Sequence, residues 1–468
     1  MLALTLAEIA AAVHGELRPA RGDSPQTVLR GAVHTDSRLV APGDLFFALP
    51  GAESDGHLFA ASAAERGASV AVVERLVDAP ISQIVVPDGM VALAMLASDV
   101  VSRVRASGDL RIVGITGSNG KTTTKNLLGA ILADVGPTIA PQGSFNNHVG
   151  APLSMLGIDE DTLFLVVEMG ASGVGHIARL VRIAVPDISV VLKVGLAHAG
   201  EFGGIEATQR AKAEIVTALP ASAVAVLNVD DHRVAAMADQ TAATVRWFGL
   251  DDAADVRATD IESTASGTSF DLECDGVTRA VTLRILGEHH VMNALAALAV
   301  ARELDLDLDE AIASVGRVPR AERWRMELLE PGGGVTVIND AYNASPDSTA
   351  AALKTLAQLT RDGRRSVAIL GEMAELGEFA DEEHDRIGRL AVRLNVEKLV
   401  VVGHRARHIH NAAGLEGSWD GESVLVDTAD EAFDLVNADL RPGDVVLVKS
   451  SKSAGLRFLG DRLGGVTG

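Results

Sequence analysis

The chain has 468 residues, 47% apolar and 22% charged, with a formal net charge of −22. That length exceeds one ordinary core and predicts about three domains. The excess of carboxylates repels nucleic-acid phosphates and anionic membrane surfaces, and no basic run offsets it, so neither partner is expected.

Cys274 is the only cysteine, which excludes an intrachain disulfide and a cysteine-rich metal site. It lies in the alternating stretch "SFDLECDG" and is expected to be a packed thiol. The N-terminal "MLALTLAEIAAAVHGEL" lacks a basic start, and Glu8 interrupts its apolar stretch, so it reads as a helix and not as a signal peptide. No apolar run reaches the roughly 18 residues of a membrane span. A reduced, cytoplasmic setting is expected. No motif fixes the oligomeric state, and a monomer is expected.

The first segment, 1–108, mixes strands such as "SVAVVE" (69–74) and "QIVVP" (83–87) with the helix "VALAMLASDVVSRVR" (91–105). "ASGD" (106–109) reads as a linker. The second segment, 109–321, opens with the strand "LRIVGI" and continues with "LFLVVE" (163–168), "ISVVLKV" (188–194) and "AVAVLNVD" (223–230), separated by helical stretches. That alternation predicts a doubly wound α/β unit with a mostly parallel sheet covered on both faces. "TSFDLECDG" and "RAVTLRIL" then read as hairpin-like strands before the helix "HVMNALAALAVARELD". The third segment, 322–468, repeats the pattern with "VTVIND" (335–340), "SVAILGE" (366–372), "EKLVVVG" (397–403) and "DVVLVKS" (444–450), a second, Rossmann-like α/β unit. "EPGGGV" (330–335) reads as a tight hairpin turn.

Residues 114–124 read "GITGSNGKTTT". The common phosphate-loop pattern needs a glycine at position 115, where Ile115 stands; the glycines are Gly114, Gly117 and Gly120. The physical requirements of a phosphate cradle are met all the same. A buried strand ends in glycines, and a helix starting at Lys121 turns its amides and dipole toward the anion. In this reading Gly117, Ser118, Asn119, Gly120 and Thr123 hold ATP, Lys121 reaches its β/γ-phosphates, and Thr122 places a hydroxyl on Mg²⁺. A glycine-rich turn with a capping threonine is the simpler alternative. Glu168 ends a strand near the loop and is placed for Mg²⁺; without the loop it would read as a solvated edge residue.

"ITGSNGKTTT" resembles the ATP loop of the Mur ligases and of their relative folylpolyglutamate synthetase, enzymes that join a carboxylate to an amine at the expense of ATP. The resemblance runs over nearly the whole chain. "VHTDSRLVAPGDLFFALPGAESDGHLF" (33–59) is similar to the N-terminal signature of the members that hold a uridine-diphosphate substrate, which implies Ser37 and Arg38 as contacts; the folate relative lacks this domain. "GSFNNHVGAPLSML" (143–156) is similar to the family's asparagine loop and implies Asn146 and Asn147 as substrate contacts, with Ser144 replacing the first family asparagine. "VGLAHAGEFGG" (194–204) implies His198 as a ligand of a second Mg²⁺. "EATQRAKAEI" (206–215) implies that Lys212 becomes a carbamate that supplies oxygen ligands beside the metals; a surface lysine pairing with Glu206 or Glu214 is the alternative. "GEHHVMNALAALA" (287–299) implies Asn293 at adenine, with His290 at the family's usual asparagine.

In the third segment "WRMELLE" and "VINDAYNASPDS" imply Arg325 at the γ-phosphate and Asp340 at the ribose. "NDAYNASP", with Tyr342 and Asn343, resembles the branch of the family that adds D-Ala-D-Ala to UDP-MurNAc-tripeptide. The diaminopimelate selector "DNPR" is absent. "LGEMAELGEFADEEH" (370–384) resembles the same branch, and "VKSSKS" (448–453) departs from the family's "KGS" at Ser450, beside Lys449. The resemblance thus implies ATP, two Mg²⁺ ions, UDP-MurNAc-tripeptide and D-Ala-D-Ala, with Lys121, Lys212 and His198 in the catalytic machinery. A sister ligase adding diaminopimelate or lysine, and a P-loop regulatory ATPase, stay open.

Overall fold

The computed structural model describes residues 1–51, 54–196, 200, 203–264, 266–318, 322–417 and 419–466. Three main sheets organise it. The first has the order β1-β5-β4-β3-β2, formed by β1 (Glu16–Arg18), β2 (Val33–His34), β3 (Leu45–Phe47), β4 (Val70–Val73) and β5 (Ser82–Val85). Helix α1 (Gly89–Ser107) follows, capped by Asp88, whose carboxylate accepts from the Met90 and Val91 amides. It runs two residues into the stretch expected as a linker, because Val104 is still buried there and keeps the last turn packed.

The central sheet is built from β6 (Arg111–Thr116), β7 (Thr138–Ile139), β8 (Phe164–Glu168), β9 (Ile188–Val191), β10 (Val224–Asn228), β11 (Thr244–Gly249), β12 (Val256–Thr264), β13 (Gly267–Cys274) and β14 (Val277–Leu283). Its order is β14-β13-β12-β11-β10-β9-β6-β8-β7, parallel from β7 through β12 and antiparallel at the last two pairings. Strands β6, β8 and β9 read as unbroken apolar runs because both faces are covered. One face packs with α1 in a core shared with the first sheet, through Leu96, Val100 and Val104. The other face packs under α2 (Lys121–Ala133) and α3 (His289–Glu303), through Leu127, Leu128, Leu295 and Leu298. Cys274 is buried in this core, as expected of a packed thiol.

The third sheet has the order β15-β16-β20-β17-β18-β19, from β15 (Glu327–Gly332), β16 (Val335–Asn339), β17 (Ser366–Leu370), β18 (Lys398–Val402), β19 (Glu422–Val426) and β20 (Val445–Lys449). Only β15 is antiparallel, and the expected tight turn joins it to β16. Gly332, Gly333 and Gly334 all have positive φ there, a backbone path that side-chain-bearing residues resist. Strands β11 and β12, inside the central sheet, and the edge strands β15 and β19 of the third sheet carry weaker apolar runs than the other strands, and the sequence pattern does not report them. No helix among the described residues is long and apolar enough to cross a membrane.

Candidate nucleotide and acceptor clefts

The loop leaves β6 at Thr116 and enters α2 at Lys121. Its glycines have separate jobs. Gly114 lies inside the strand, where a Cβ would meet Pro186 at 2.8 Å, so it serves core packing. Gly120 caps the helix at φ +85°, and a Cβ there would come within 2.2 Å of Asn293 Oδ1. The turn is therefore made by Gly117 and Gly120, three residues apart, and the missing glycine at 115 costs nothing.

Two clefts adjoin this loop. The first, about 250 Å³, gathers Ser118 through Thr123 and Asn146 with Asn293 from α3 and, from the third unit, Arg325, Asp340, Tyr342 and Asn343. Gly117 stands behind it, its carbonyl accepting from Lys121 Nζ at 2.6 Å. The second cleft, about 300 Å³, shares Lys121 and Asn146 and adds Asn147, His176, Arg179, Lys212 and Glu375. Glu168 is buried beneath both; its Oε2 accepts from Thr122 Oγ1 at 3.2 Å and from Ser144 Oγ at 3.3 Å. Ser144, the residue that departs from the family pattern, thus reaches the carboxylate itself.

Three buried polar atoms without a hydrogen-bond partner belong to residues lining the first cleft: Asn119 Nδ2, His290 Nε2 and Arg325 Nε. A buried unpaired polar group is costly, so such a cluster marks a surface shaped for a polar ligand. Burial pushes the Lys121 ammonium below its usual range; nearby Glu168 opposes the shift and Arg325 adds to it. Lys212 is 3% exposed, and burial, with Lys121 nearby, pushes its ammonium well below the usual range. The surface-lysine alternative fails on this burial. Glu214 is also engaged elsewhere, accepting from the Gly175 and Ala178 amides.

The third unit closes the wall. Asp340 Oδ2 accepts from Lys449 Nζ at 2.7 Å and Oδ1 from the Met326 amide at 3.0 Å. Lys449, 2% exposed, also donates to the Asn343 carbonyl at 2.9 Å, so it fixes the wall and does not stand free. The Arg325 guanidinium lies 4.2 Å from the centroid of Tyr342. Tyr342 and Asn343, expected on the D-Ala-D-Ala side, face the same cleft as the loop. Ser345 Oγ reaches back across the domain gap to Asn119 Oδ1 at 3.1 Å, and Lys193 pairs with Asp347 at 3.2 Å.

Ser37 and Arg38 line neither cleft; Ser37 is buried, and Arg38, its side chain 82% exposed, is forked onto Asp36. His198 lies outside the described residues. Among those described, no group of three or more His, Cys, Asp or Glu side chains forms a metal cage. Sequence reading passed over Lys125, Ser345, His176 and Arg179. Lys125 carried a signal, since a residue four beyond Lys121 on a helix shares its face.

A phosphate loop on a parallel sheet, walled by a second α/β unit and joined to an adjacent cleft, defines a nucleotide-using enzyme with room for a second substrate. The chain belongs to the Mur ligase family: residues 31–102 match the family's catalytic domain, 115–301 its middle domain and 324–452 its glutamate ligase domain. It is 45% identical to the UDP-N-acetylmuramoyl-tripeptide–D-alanyl-D-alanine ligase of Mycobacterium tuberculosis, over 99% of this chain and 98% of that one. It is also similar to the crystal structure of MurF from Acinetobacter baumannii, at a TM-score of 0.88 and 31% identity over 99% of both chains. MurF from Thermotoga maritima in complex with ADP gives 0.80 and 28%, covering 93% of this chain and 97% of that one.

Proposed function

We infer that this chain is an ATP-dependent ligase that joins D-Ala-D-Ala to the terminal carboxylate of UDP-MurNAc-tripeptide, yielding the pentapeptide, ADP and phosphate for peptidoglycan synthesis in the cytoplasm. The observation that carries it is the meeting of two clefts at Lys121. A nucleotide held by the loop presents its γ-phosphate at the boundary of the second cleft, where a carboxylate acceptor fits beside Asn146, Asn147 and Arg179. We place the unit boundaries at 108/109 and 321/322 and take the working form to be a monomer.

The acceptor carboxylate attacks the γ-phosphorus, the bond to ADP breaks, and an acyl phosphate forms. The dipeptide amine then adds to the acyl carbon, loses a proton, and phosphate leaves from the tetrahedral intermediate. Lys121 and Arg325 neutralise charge on the moving phosphoryl group, Asp340 and Asn293 fix the nucleoside, and Ser37 with Arg38 hold the uridine end. Tyr342 backs the Arg325 guanidinium, and Asn343 completes the dipeptide side of the wall.

The residues fit Mg²⁺. The Thr122 hydroxyl and the Glu168 carboxylate, whose Oε1 stands 3.2 Å from the Lys125 ammonium, are hard oxygen donors at the loop that would hold Mg²⁺ together with phosphate and water. When bound, the ion supplies charge neutralisation for phosphoryl transfer; a second ion would draw on His198 and the Lys212 carbamate. Lys212 fits the modification, because burial disfavours its ammonium form, and the free amine adds to CO₂ and loses a proton to become an N-carboxylate.

Incubation with ATP, Mg²⁺, UDP-tripeptide and D-Ala-D-Ala should give pentapeptide by mass, with phosphate release dependent on the tripeptide. Fast ATP turnover without any peptide substrate would instead assign the chain to the regulatory ATPases. Lys212→Ala should be nearly inactive and partly rescued by acetate, which replaces the lost oxygens, whereas Lys212→Arg should not be rescued. An alanine variant of normal activity, indifferent to acetate, would remove the carbamate.

A further inference from the structure

Lys125 is a buried cation that the mechanism above does not use. It lies one turn beyond Lys121 on α2 and is 2% exposed. Its Nζ donates to the Pro141 carbonyl and to the Gly143 carbonyl at 2.6 Å, and stands 3.2 Å from Glu168 Oε1. Three donors thus face two carbonyls and one carboxylate, the full capacity of an ammonium group.

The 141–147 segment hangs from this group. Ser144 Oγ donates to Glu168 Oε2 at 3.3 Å and accepts from Asn146 Nδ2 at 2.8 Å. Asn147 Oδ1 then accepts the Val149 and Gly150 amides, at 3.1 and 2.8 Å. Gly143 ties the segment to the third unit as well, its amide donating to Glu322 Oε1 at 2.6 Å. The Asn146 carbonyl also accepts from the Gly170 amide at 2.8 Å, while its side chain hangs from Ser144 and, through Ser144, from the carboxylate that Lys125 neutralises.

We propose that Lys125 is a positioning residue that couples the Glu168 carboxylate to the acceptor segment 141–147, competing with Mg²⁺ for Glu168 while holding Asn146 in place for the tripeptide. This rests on the reading of Glu168 as a metal carboxylate. The two tasks give opposite signs. Without the lysine charge, Glu168 attracts a divalent cation more strongly. Without its donors, the two carbonyls lose their partners and the acceptor segment loosens. A merely structural role would weaken both.

The test uses the full chain saturated with ADP, with Mn²⁺ as the spectroscopic probe in electron paramagnetic resonance titrations and UDP-tripeptide binding by calorimetry. For Lys125→Met, Mn²⁺ affinity should rise about threefold to tenfold while tripeptide affinity falls about tenfold or more. Unchanged values for both, or a parallel loss of both with a lowered unfolding temperature, would overturn the proposal. If the single variant does not fold, the double variant Lys125→Met/Glu168→Gln removes both charges of the pair and should fold. Its tripeptide affinity should still be low, and wild-type affinity there would overturn the hold on the segment. Glu168→Gln alone separates the two readings. If it leaves Mn²⁺ binding unchanged, the metal reading of Glu168 fails and the competition fails with it, while the tripeptide arm still decides the hold on the segment.

Discussion

The first and central units carry motifs of similar clarity in sequence, yet the side chains behave in opposite ways. In the first unit the charged motif residues satisfy one another. Arg38 forks onto Asp36, holding its carboxyl down at about 2. His57 Nδ1 meets Asp55 Oδ1 at 2.6 Å, its Nε2 accepts the Glu74 amide at 2.8 Å, and Arg75 pairs with Asp55 and holds that carboxyl well below its usual range. In the central unit the motif residues and their neighbours leave buried polar atoms unpaired around the cleft. A self-satisfied motif shapes a turn and needs its ligand for function only. An unsatisfied one stores a cost that a ligand relieves, so it is the stronger mark of a binding surface.

The contrast breaks most visibly at Lys121 and Glu168. Alanine at either position should lower pentapeptide formation by about 10³-fold or more, with thermal unfolding close to wild type, because both act where charge develops on the phosphoryl group. Near-normal turnover in a folded variant would remove that residue from the site. Next in size is Gly120→Ala. Its φ of +85° and the 2.2 Å approach to Asn293 should weaken ADP binding about tenfold or more, read by calorimetry.

The first unit should separate stability from binding. His57→Ala removes a bridge between two segments and should cost about 1–3 kcal/mol in denaturant unfolding while leaving the Km for ATP unchanged. Arg38→Ala should leave unfolding unchanged and raise the Km for the UDP-tripeptide about tenfold. If Arg38→Ala instead destabilises the fold and leaves that Km untouched, its role is the turn alone.

The smallest effect is a pH dependence at the cleft floor. Burial pushes His289 down to about 4 and His290 well below its usual range, and their rings lie 4.1 Å apart. Burial disfavours the protonated ring in the fold, so each gains a proton more readily when the chain unfolds. The unfolded chain therefore binds more protons below about pH 6.5, and stability should be complete above that pH and decline as pH falls toward 4. His290→Phe should flatten the decline by no more than about 2 kcal/mol at pH 5, measured by denaturant midpoints at several pH values. An unchanged profile would place the acid sensitivity elsewhere.

Much of this was legible because the relevant signals are local. The apolar runs of β6, β8, β9 and β20, the glycines and the lysine of the loop each lie within a dozen residues, and period and spacing report them. What was not legible is tertiary. Strands β11 and β12 lie inside the central sheet, between β10 and the antiparallel β13, yet their half-exposed residues give little signal by themselves. Lys125 reads as an ordinary helix lysine until Pro141, Gly143 and Glu168 are brought around it. Ser345 looks like a helix cap, which it is, and its reach to Asn119 depends on how two units dock. The charged turns at Asp36 and Asp55 show the reverse: their residues were readable as a family signature, but no spacing rule told that they would bind each other.

That docking has a temporal side. The third unit touches the loop region through the Ser345–Asn119 hydrogen bond, the Lys193–Asp347 pair and the Gly200 amide on the Glu375 carbonyl, alongside apolar contact from Leu196 and Leu286. Half-exposed pairs of this kind are worth about 1 kcal/mol or less each. The polar part of the hold on this wall is therefore weak beside the apolar contact of Leu196 and Leu286. Added salt should weaken the Lys193–Asp347 pair most, so a turnover rate that rises with ionic strength would show that opening of this wall sets the pace, and a rate indifferent to salt would show that it does not.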